Sequence, residues 1–365
     1  MLADLEELVL CESFSADHAA VARSAEVVGT LGARLLGAEP ETIVIDGVTH
    51  LRWIFGTPRV LLAGHHDTVW PIGSLRSRPW SVADGIARGP GVLDMKAGLV
   101  QMIHALASLP SPDGVCVLVN GDEEVGSPTS RQLIEETARG CAAAFVLEAA
   151  ADERGALKIA RKGTSRYEVV VHGRAAHAGQ EPHTGVNAAV EAAHQVLAVA
   201  GVEAAMDAAA HPVLGVATVT PTLLSAGSAR NTVPALARVS VDVRVPTAAA
   251  QDRIDELVRE LTPRTAGARL EILGGAQRPP MEPESCADLF ALASRVAVEL
   301  GQAPPRGTAV GGASDGNYTA ATGCPTLDGL GAVGSGAHAD TEYVEITQMI
   351  PRARLLAELI TRTVR

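Results

Sequence analysis

Apolar residues along this chain recur with the period of a strand in some stretches and with the period of a helix in others. Continuous apolar runs at 60–63, 115–119 and 142–147 are typical of strands buried on both faces. Between these runs, Leu, Val and Ala recur at helical spacing, which predicts helices at about 98–109 and 129–138. The alternation of strand, loop and helix favours a mainly parallel sheet, sandwiched by helices, whose loops gather at one edge.

The pattern changes in the middle of the chain, where apolar and polar residues alternate as in a half-exposed strand. Tyr167, Val169 and Val171 fall on one face of that strand, and Arg166 and Glu168 fall on the other. The predicted elements then run strand, helix, strand, strand, helix, strand, at about 165–173, 186–199, 214–220, 237–245, 248–261 and 269–273. This order predicts an inserted, ferredoxin-like α+β domain, a small sheet covered by helices on one face.

We therefore expect an α/β protein with two domains. Residues 1–162 and 280–365 would form the domain with the parallel sheet, and residues 163–279 would form the inserted domain. The remaining predicted elements are helices at 4–10, 19–36, 288–300 and 349–364, strands at 43–45 and 50–55, a loop at 70–93, and glycine-rich loops at 311–316 and 329–336.

Composition narrows the class of protein. With 365 residues, 47% of them hydrophobic and 20% charged, the chain is typical of a globular protein and is too long for one simple core. A net charge of −12 without a long basic run argues against a nucleic-acid partner. Five scattered cysteines without a CxxC pair indicate reduced thiols, and the acidic N-terminus does not resemble a signal peptide. Since no apolar run reaches membrane-spanning length, we expect a cytoplasmic protein without a membrane partner.

His65 and Asp67 follow the first buried run. Because residues two apart on an extended backbone point to the same side, both side chains can face one site just beyond the strand, where ligands of open α/β sheets bind. A ligating imidazole needs its second ring nitrogen oriented, and the carboxylate of Asp67 can do that. Taken alone, His65 is more simply interpreted as a strand-end histidine satisfied by a hydrogen bond.

Acidic residues follow the other strands and loops. Asp94 follows a Gly-Pro-Gly loop, the other two buried runs lead to Glu123-Glu124 and to Glu148, and His338 lies in a glycine-rich loop. Gathered on one edge of one sheet, unpaired carboxylates repel each other, and bound cations are the usual solution. Two imidazoles with three carboxylates suit Zn²⁺, with Co²⁺ or Mn²⁺ as alternatives, and one shared carboxylate would give a two-metal site.

The adjacent acids Glu123 and Glu124 can divide two tasks between them. Neighbouring residues at a strand end point in different directions, so one carboxylate can bind a metal while the other faces an attacking water. A free carboxylate in that position is a suitable general base, which later returns the proton to the leaving nitrogen. The alternative is a solvated acidic turn before a helix, where acids interact favourably with the N-terminal dipole.

Together these segments resemble the metal-dependent aminoacylase and carboxypeptidase family, which includes glutamate carboxypeptidase, acetylornithine deacetylase and succinyl-diaminopimelate desuccinylase. The resemblance is to the glutamate carboxypeptidase-like branch in particular, through Gly-His-x-Asp-Thr-Val, Asp-Glu-Glu-x-Gly-Ser and Ala-Asp-x-Glu-Tyr-Val. The matching segments span nearly the whole chain in the order of the family, at 65–69, 89–98, 122–127, 148, 176–179 and 338–340.

The resemblance implies a role for each residue of the cluster. The ligands of two zinc ions would be His65, Asp94, Glu124, Glu148 and His338. Asp94 would bridge the two ions, and its peptide bond to Met95 would be cis. Glu123 would be the general base, and Asp67 would orient His65.

Two positions near the expected ligands depart from a simple match. His66 corresponds to a variable position of the family, so the resemblance does not make it a ligand. The family often has a second Asp where this chain has Met95. We expect metal ligation to survive that change, with different contacts in the loop.

The resemblance extends to the inserted domain and implies that this domain is a lid and dimerisation domain. His177 resembles a residue that reaches into the site of the partner subunit and stabilises the oxyanion, which implies a homodimer; without the resemblance it would be an exposed loop histidine. Asn231 and Arg244 resemble positions that hold the substrate carboxylate, although Arg244 could equally be a strand-surface arginine. Weaker matches for the same pocket are Arg278 and the backbone of Gly312.

We expect an enzyme, a homodimeric two-zinc amidohydrolase that cleaves a small-molecule amide with a free carboxylate, either a peptide or an N-acyl amino acid. The resemblance favours a glutamate carboxypeptidase-like exopeptidase. The alternative is a deacylase of the acetylornithine deacetylase or succinyl-diaminopimelate desuccinylase type. A third hypothesis is a non-catalytic dimer that uses zinc structurally, and the intact Glu123 argues against it, because a structural site has no use for a spare base.

Overall fold

The computed structural model describes residues 1–206 and 210–364. Contacts divide the chain into two compact units. The first unit comprises Met1–Ala160, Met281–Val310 and the residues from Ser314 onward, and the second unit comprises Arg161–Pro280 and Gly311–Ala313. The sequence pattern placed the two boundaries after residues 162 and 279. Among the helices of the described residues, none is long and apolar enough to cross a lipid bilayer.

The elements follow one another along the chain as predicted in most places. Up to residue 161 they are α1 (Leu2–Leu10), α2 (His18–Leu36), β1 (Glu41–Ile45), β2 (Val48–Phe55), β3 (Val60–His65), β4 (Ser81–Ala83), β5 (Ile86–Arg88), α3 (Ala97–Ala107), β6 (Val115–Asn120), α4 (Arg131–Ala138), β7 (Ala143–Val146) and β8 (Leu157–Arg161). The middle of the chain forms β9 (Gly163–His172), α5 (Ala188–Ala205), β10 (Thr218–Ala226), β11 (Leu236–Val245), α6 (Ala248–Arg259) and β12 (Arg269–Arg278). The last stretch forms α7 (Ala287–Glu299), β13 (Gly307–Val310), α8 (Gly316–Ala321), β14 (Thr326–Leu327), β15 (Gly334–Ser335), β16 (Tyr343–Glu345) and α9 (Ile346–Thr363).

The main sheet of the first unit has the strand order β1-β2-β6-β3-β7-β14. Strands β6, β3, β7 and β14 are parallel, and β2 and β1 extend the sheet in antiparallel fashion, so the predicted mainly parallel sheet is confirmed. Every residue of β3, β6 and β7 is buried. Because the carboxyl ends of parallel strands meet at one edge, the residues that follow β3, β6 and β7 are brought together there.

Helices cover both faces of this sheet. Alternate strand residues point to opposite faces, so Leu62 and Phe145 belong to one core with α1, α2, α3 and α9. Leu61 and Val146 belong to the other core, where they pack with residues of α4 and α8. The predicted arrangement, a sheet sandwiched by helices, is therefore confirmed.

The stretch 70–93, which we predicted as a loop, contains two three-residue strands, β4 and β5, and a 3₁₀ turn at Ser74–Arg76. Strand β5 pairs with β4 and with β16, where Arg88 lies opposite Tyr343. Proline and glycine predict a loop here because they disfavour regular structure locally. The strands nevertheless form, because a partner from the far end of the chain supplies the hydrogen bonds.

The second unit contains the expected ferredoxin-like order of elements. Its sheet has the order β10-β11-β9-β12, and all neighbouring strands are antiparallel. One face of this sheet packs against α5 and α6 in a core that includes Val169, Val171, Val239, Val241, Ala192, Val199, Ile254 and Val258. The small apolar side chains of β9 and β11 thus share one face, as their alternation predicts.

The strand predicted at 214–220 lies instead at Thr218–Ala226. Leu214 is buried but lies in a turn before the strand. Leu223 and Leu224, inside the strand, are 70% and 57% exposed on the edge of the sheet. The pattern of apolar residues predicts which residues are buried rather than where a strand begins. The predicted strand was therefore placed too early in the sequence.

Arg352 on α9 joins three loop segments of the first unit. Its buried guanidinium donates from Nε to the carbonyl of Gly331 at 2.9 Å, from Nη1 to that of Gly155 at 2.9 Å, and from Nη2 to that of Gly329. Burial lowers the pKa of Arg352 to about 10, so the side chain remains charged at neutral pH. Gly331 in turn donates its N–H to the carbonyl of Glu148, so this arginine supports the backbone beside the sheet edge.

We expect Arg352→Met to lower the free energy of unfolding by about 2–4 kcal/mol, because three buried carbonyl groups would lose their donor. Urea denaturation followed by circular dichroism measures this change. Arg354→Met is the matched control, since Arg354 lies on the exposed side of the same helix. Equal stability of the two variants would contradict the role of Arg352.

Candidate active site

A cluster formed by the five expected metal ligands and Glu123 lies at the edge of the main sheet. His65 is the last residue of β3, Glu123 opens a 3₁₀ turn after β6, and Glu148 lies two residues beyond β7. Asp94 lies in an irregular turn at Val92–Lys96, and His338 lies between β15 and β16 with a φ of 62°. The first unit therefore brings together residues that are far apart in the sequence.

The carboxylate of Asp94 lies between two imidazoles. Its Oδ1 is 3.4 Å from Nε2 of His65, and its Oδ2 is 3.2 Å from Nε2 of His338. Each imidazole also has a second carboxylate nearby. Glu148 Oε1 lies 3.6 Å from His65 Nε2, and Glu124 Oε2 lies 3.1 Å from His338 Nε2.

Two groups of three residues, which share His65, could each hold a metal ion. Within each group, the ligand atoms all lie within 4.8 Å of one another. One group is His65, Asp94 and Glu124, and the other is His65, Glu123 and Glu148. Glu123 is only 7% exposed and faces the same space as the expected ligands. The donor set of imidazoles and carboxylates suits a divalent cation such as Zn²⁺.

The hydrogen bonding of His65 and Glu124 fits a bound cation. Nδ1 of His65 lies 3.0 Å from the carbonyl oxygen of Asp67 and donates to it, which leaves Nε2 as the ring nitrogen that faces the cluster. His65 Nε2 and Glu124 Oε1 are both buried without a hydrogen-bond partner. Since buried polar atoms normally have partners, a metal ion would satisfy both atoms.

The charges of the cluster also favour the binding of a cation. Burial disfavours a charged His65, but the carboxylates of Asp67, Asp94 and Glu148 outweigh burial and raise the pKa of the ring well above its usual range. Asp94 and Glu124 raise the pKa of His338 to about 11. Burial raises the pKa of Glu124 to about 7, and the neighbouring charge of Asp94 adds to this rise. The pocket holds more negative charge than its imidazoles balance.

Asp67 does more than orient His65. Its fully buried carboxylate accepts hydrogen bonds from the backbone N–H groups of Glu123 and Glu124, both at 3.2 Å, and from the hydroxyl of Ser15 at 2.6 Å. Nδ1 of His65 lies 3.3 Å from Asp67 Oδ1. One side chain thus contacts an imidazole and both adjacent acids, a connection that the sequence did not predict.

Three contacts near the cluster were not singled out from the sequence. Ser15 comes from a short segment before α2, and no local motif marks it. The sulfur of Met95 accepts the N–H of His65 at 3.2 Å. Glu342 binds the turn that carries Asp94, and the motif Ala-Asp-x-Glu-Tyr-Val contains the signal that could have found it.

The Asp94–Met95 peptide and His66 lie next to expected metal ligands in the sequence. The Asp94–Met95 peptide is cis, as predicted. His66 is fully buried, and its Nε2 lies 3.0 Å from the carbonyl oxygen of Thr49. Burial lowers the pKa of His66 to about 4, so this ring is neutral at physiological pH.

His177 lies in the second unit, in an exposed segment that forms an isolated bridge with Thr232. Its Nδ1 accepts the backbone N–H groups of Gly179 and Gln180, both at 3.1 Å. Because an accepting nitrogen carries no proton, the ring proton lies on Nε2, which is then a hydrogen-bond donor.

The other candidates of the second unit have varied surroundings. Asn231 is exposed, and its carbonyl oxygen accepts the N–H of Ala178 at 2.9 Å. Arg244 makes a bidentate ion pair with Asp242, at 2.8 and 3.0 Å, as a strand-surface arginine would. Arg278 is 8% exposed, and its carbonyl oxygen accepts from the Gln251 amide.

Gly312 is among the three residues that group with the second unit from outside its main stretch. Its carbonyl oxygen accepts Nη1 of Arg161 at 3.0 Å. This bond ties the 311–313 segment to the end of β8.

The fold matches solved structures of metallopeptidases. An M20 family metallo-carboxypeptidase from Sulfolobus solfataricus superposes with a TM-score of 0.76 and 16% identity, over 100% of this chain and 98% of that one. At this level of identity the likeness concerns the fold, a mainly parallel sheet with helices.

Sequence comparison defines the family. A profile of "Peptidase family M20/M25/M40" matches residues 61–362. Carboxypeptidase G2 of Pseudomonas sp. (strain RS-16) is 32% identical over 321 residues, which cover 84% of this chain and 74% of the relative. Succinyl-diaminopimelate desuccinylase of Acidiphilium cryptum (strain JF-5) is 29% identical over 329 residues, 85% of this chain and 84% of the relative. The chain belongs to peptidase family M20/M25/M40, a metal-dependent family, and it is a hydrolase that acts on amide bonds.

We expect Asp67→Asn to weaken metal binding by about 10–100-fold, because an amide can accept with only one of its two terminal atoms. Its NH₂ group would face a backbone N–H or the hydroxyl of Ser15. Competition between the protein and a chromogenic chelator measures the affinity. Asp84→Asn, in an exposed turn, is the control. Wild-type affinity in the Asp67 variant would contradict the positioning role of this carboxylate.

Proposed function

We propose that this protein is a two-zinc amidohydrolase that removes a C-terminal amino acid from a small peptide or acyl amino acid, in the manner of a glutamate carboxypeptidase. Co²⁺ or Mn²⁺ would support the same chemistry. The comparison that supports the carboxypeptidase type is the 32% identity with carboxypeptidase G2 over most of the chain.

The observation that carries the proposal is the position of Asp94 between two imidazoles, with one further carboxylate beside each imidazole. This arrangement supports one ion held by His65, Glu148 and Asp94. It equally supports a second ion held by His338, Glu124 and Asp94. Asp94 would be the shared ligand, because its two oxygens face different imidazoles.

When bound, the two ions would lower the pKa of a water molecule and polarise the amide carbonyl. Glu123, which stands beside the ligands without being needed as one, would accept the proton of the attacking water. It would then deliver this proton to the leaving nitrogen. The burial of Glu123 beside His65 and Glu148 supports both of these proposed tasks.

We assign the second unit the roles of a lid and a dimerisation domain. His177 would donate from Nε2 to the developing oxyanion in the site of the partner subunit, and its Nδ1 hydrogen bonds support this donor role. Asn231 and Arg244 would hold the free carboxylate of the substrate, with Arg278 and Gly312 as weaker candidates. Arg244 would have to exchange its ion pair with Asp242 for the substrate carboxylate.

A deacylase of the succinyl-diaminopimelate desuccinylase type is the second candidate. The 29% identity with a desuccinylase favours it, because this relative covers 85% of the chain, against 84% for carboxypeptidase G2, at nearly the same identity. The same cluster would serve either reaction, since both cleave an amide next to a free carboxylate. The two candidates therefore differ only in the groups that flank the amide bond.

Turnover of a substrate panel by the zinc-, cobalt- or manganese-loaded protein tests the proposal. We expect acyl-glutamates and dipeptides to be hydrolysed faster than acetylornithine or succinyl-diaminopimelate, with release of the free amino acid measured by a ninhydrin-type assay. Glu123→Ala should retain metal and lose about 10²–10⁴-fold in kcat, because the general base is absent. The reverse substrate preference would favour the deacylase. Unaltered turnover by Glu123→Ala would refute the role of the base.

Mixed dimers test the cross-subunit role of His177. We expect His177→Ala to lose about 10²–10³-fold in kcat. Equal mixing with Glu123→Ala should restore about a quarter of wild-type activity, because half of the dimers would then carry one complete site. Native mass spectrometry verifies subunit exchange. The control variant is His172→Ala, which changes a histidine on the surface of β9 and should retain wild-type activity. Complete inactivity of verified mixed dimers would rule out donation across the interface.

A further inference from the structure

Glu342 is a buried carboxylate to which the hydrolysis chemistry assigns no role. It is 4% exposed and lies four residues beyond His338. Its Oε1 accepts the backbone N–H groups of Leu93 at 2.8 Å and Asp94 at 3.2 Å. Its Oε2 accepts the indole N–H of Trp70 at 2.8 Å and the backbone N–H of Gly91 at 3.1 Å.

Two of these four donors belong to the turn that carries Asp94, and a third, the N–H of Gly91, directly precedes that turn. The turn cannot satisfy these amides by itself, since Asp94 and Met95 have non-helical dihedral angles within it. A buried N–H without a partner is costly, so the turn keeps this conformation only if an acceptor is supplied from elsewhere. Glu342 supplies that acceptor from a segment about 250 residues away.

The four contacts require a carboxylate rather than any polar side chain. All four partners are N–H donors, so both oxygens of the residue at 342 must accept. A glutamine has nearly the same shape, but its NH₂ group would face two of the donors. Hydrogen bonds to a charged acceptor are also stronger than those to a neutral amide.

The segment that carries Glu342 also carries His338. A tight turn joins the two residues, in which Glu342 donates its backbone N–H to the carbonyl of Ala339 at 3.0 Å. His338 Nε2 and Asp94 Oδ2 are 3.2 Å apart. The segment therefore contributes an imidazole to the cluster and fixes the backbone of the carboxylate that faces it.

We propose that Glu342 is a positioning residue that sets the distance between Asp94 and His338 and so determines how tightly the protein holds its metal ions. This inference rests on the proposed two-metal function. Glu342 acts through the backbone of the turn and through Trp70. A change at Glu342 would therefore lower metal affinity directly, and it would lower turnover only by reducing the amount of bound metal.

Cobalt binding by the metal-free protein tests the proposal without reference to activity. Apoprotein is titrated with Co²⁺, and the affinity and the visible spectrum are recorded for the wild type and three variants. We expect Glu342→Gln to bind Co²⁺ about 10–100-fold more weakly, with a changed spectrum. Glu345→Gln, a half-buried glutamate in the following strand, should match the wild type.

The third variant, Trp70→Phe, removes one donor and leaves the carboxylate in place, so we expect a smaller loss of about two- to tenfold. Circular dichroism and thermal unfolding in EDTA establish that each apoprotein is folded. A folded Glu342→Gln protein with wild-type cobalt affinity and spectrum would overturn the inference. If that variant does not fold, wild-type affinity in Trp70→Phe overturns it. Absence of paired metal binding in the wild type would instead refute the proposed function.

Discussion

Repulsion among the carboxylates at one sheet edge is the constraint on which the arrangement of the first unit depends. Asp94, Glu148 and the adjacent pair Glu123-Glu124 come from three separate segments, yet their oxygens all lie close to His65. Their charges are compatible in a buried place only if positive charge lies among them. Nδ1 of His65 donates to the carbonyl oxygen of Asp67, so Nε2 is the ring nitrogen that faces these carboxylates and could bind a metal ion.

The loops that carry these ligands cannot satisfy their own backbone groups, and buried charged side chains do this for them. Asp67 collects the amides of Glu123 and Glu124, and Glu342 collects amides of the turn around Asp94. Arg352 performs the opposite task, since it donates to loop carbonyls beside Glu148. Charged groups suit this work because their hydrogen bonds are the stronger ones and several can converge on one side chain.

The two units contribute different chemistry to the proposed reaction. The first unit, an α/β sandwich, carries every candidate ligand and the candidate base. The second unit carries donors: the Nε2 of His177 and the guanidinium of Arg244. His177 owes its donor form to two backbone amides, so its chemistry is set by the conformation of its own loop. The profile of peptidase family M20/M25/M40 matches residues 61–362, which include the second unit and most of the first.

Local sequence determined the parallel strands, the residues that end them and the ferredoxin-like order of the second unit, because burial and backbone period are properties of short segments. It also marked Asp94, Glu124, Glu148 and His338 as one group through motifs. Tertiary structure alone decided the pairing of β5 with β16 and the bonds made by Glu342 and Arg352. These contacts join residues up to about 250 positions apart, and no local pattern records which distant partner will supply a missing donor or acceptor.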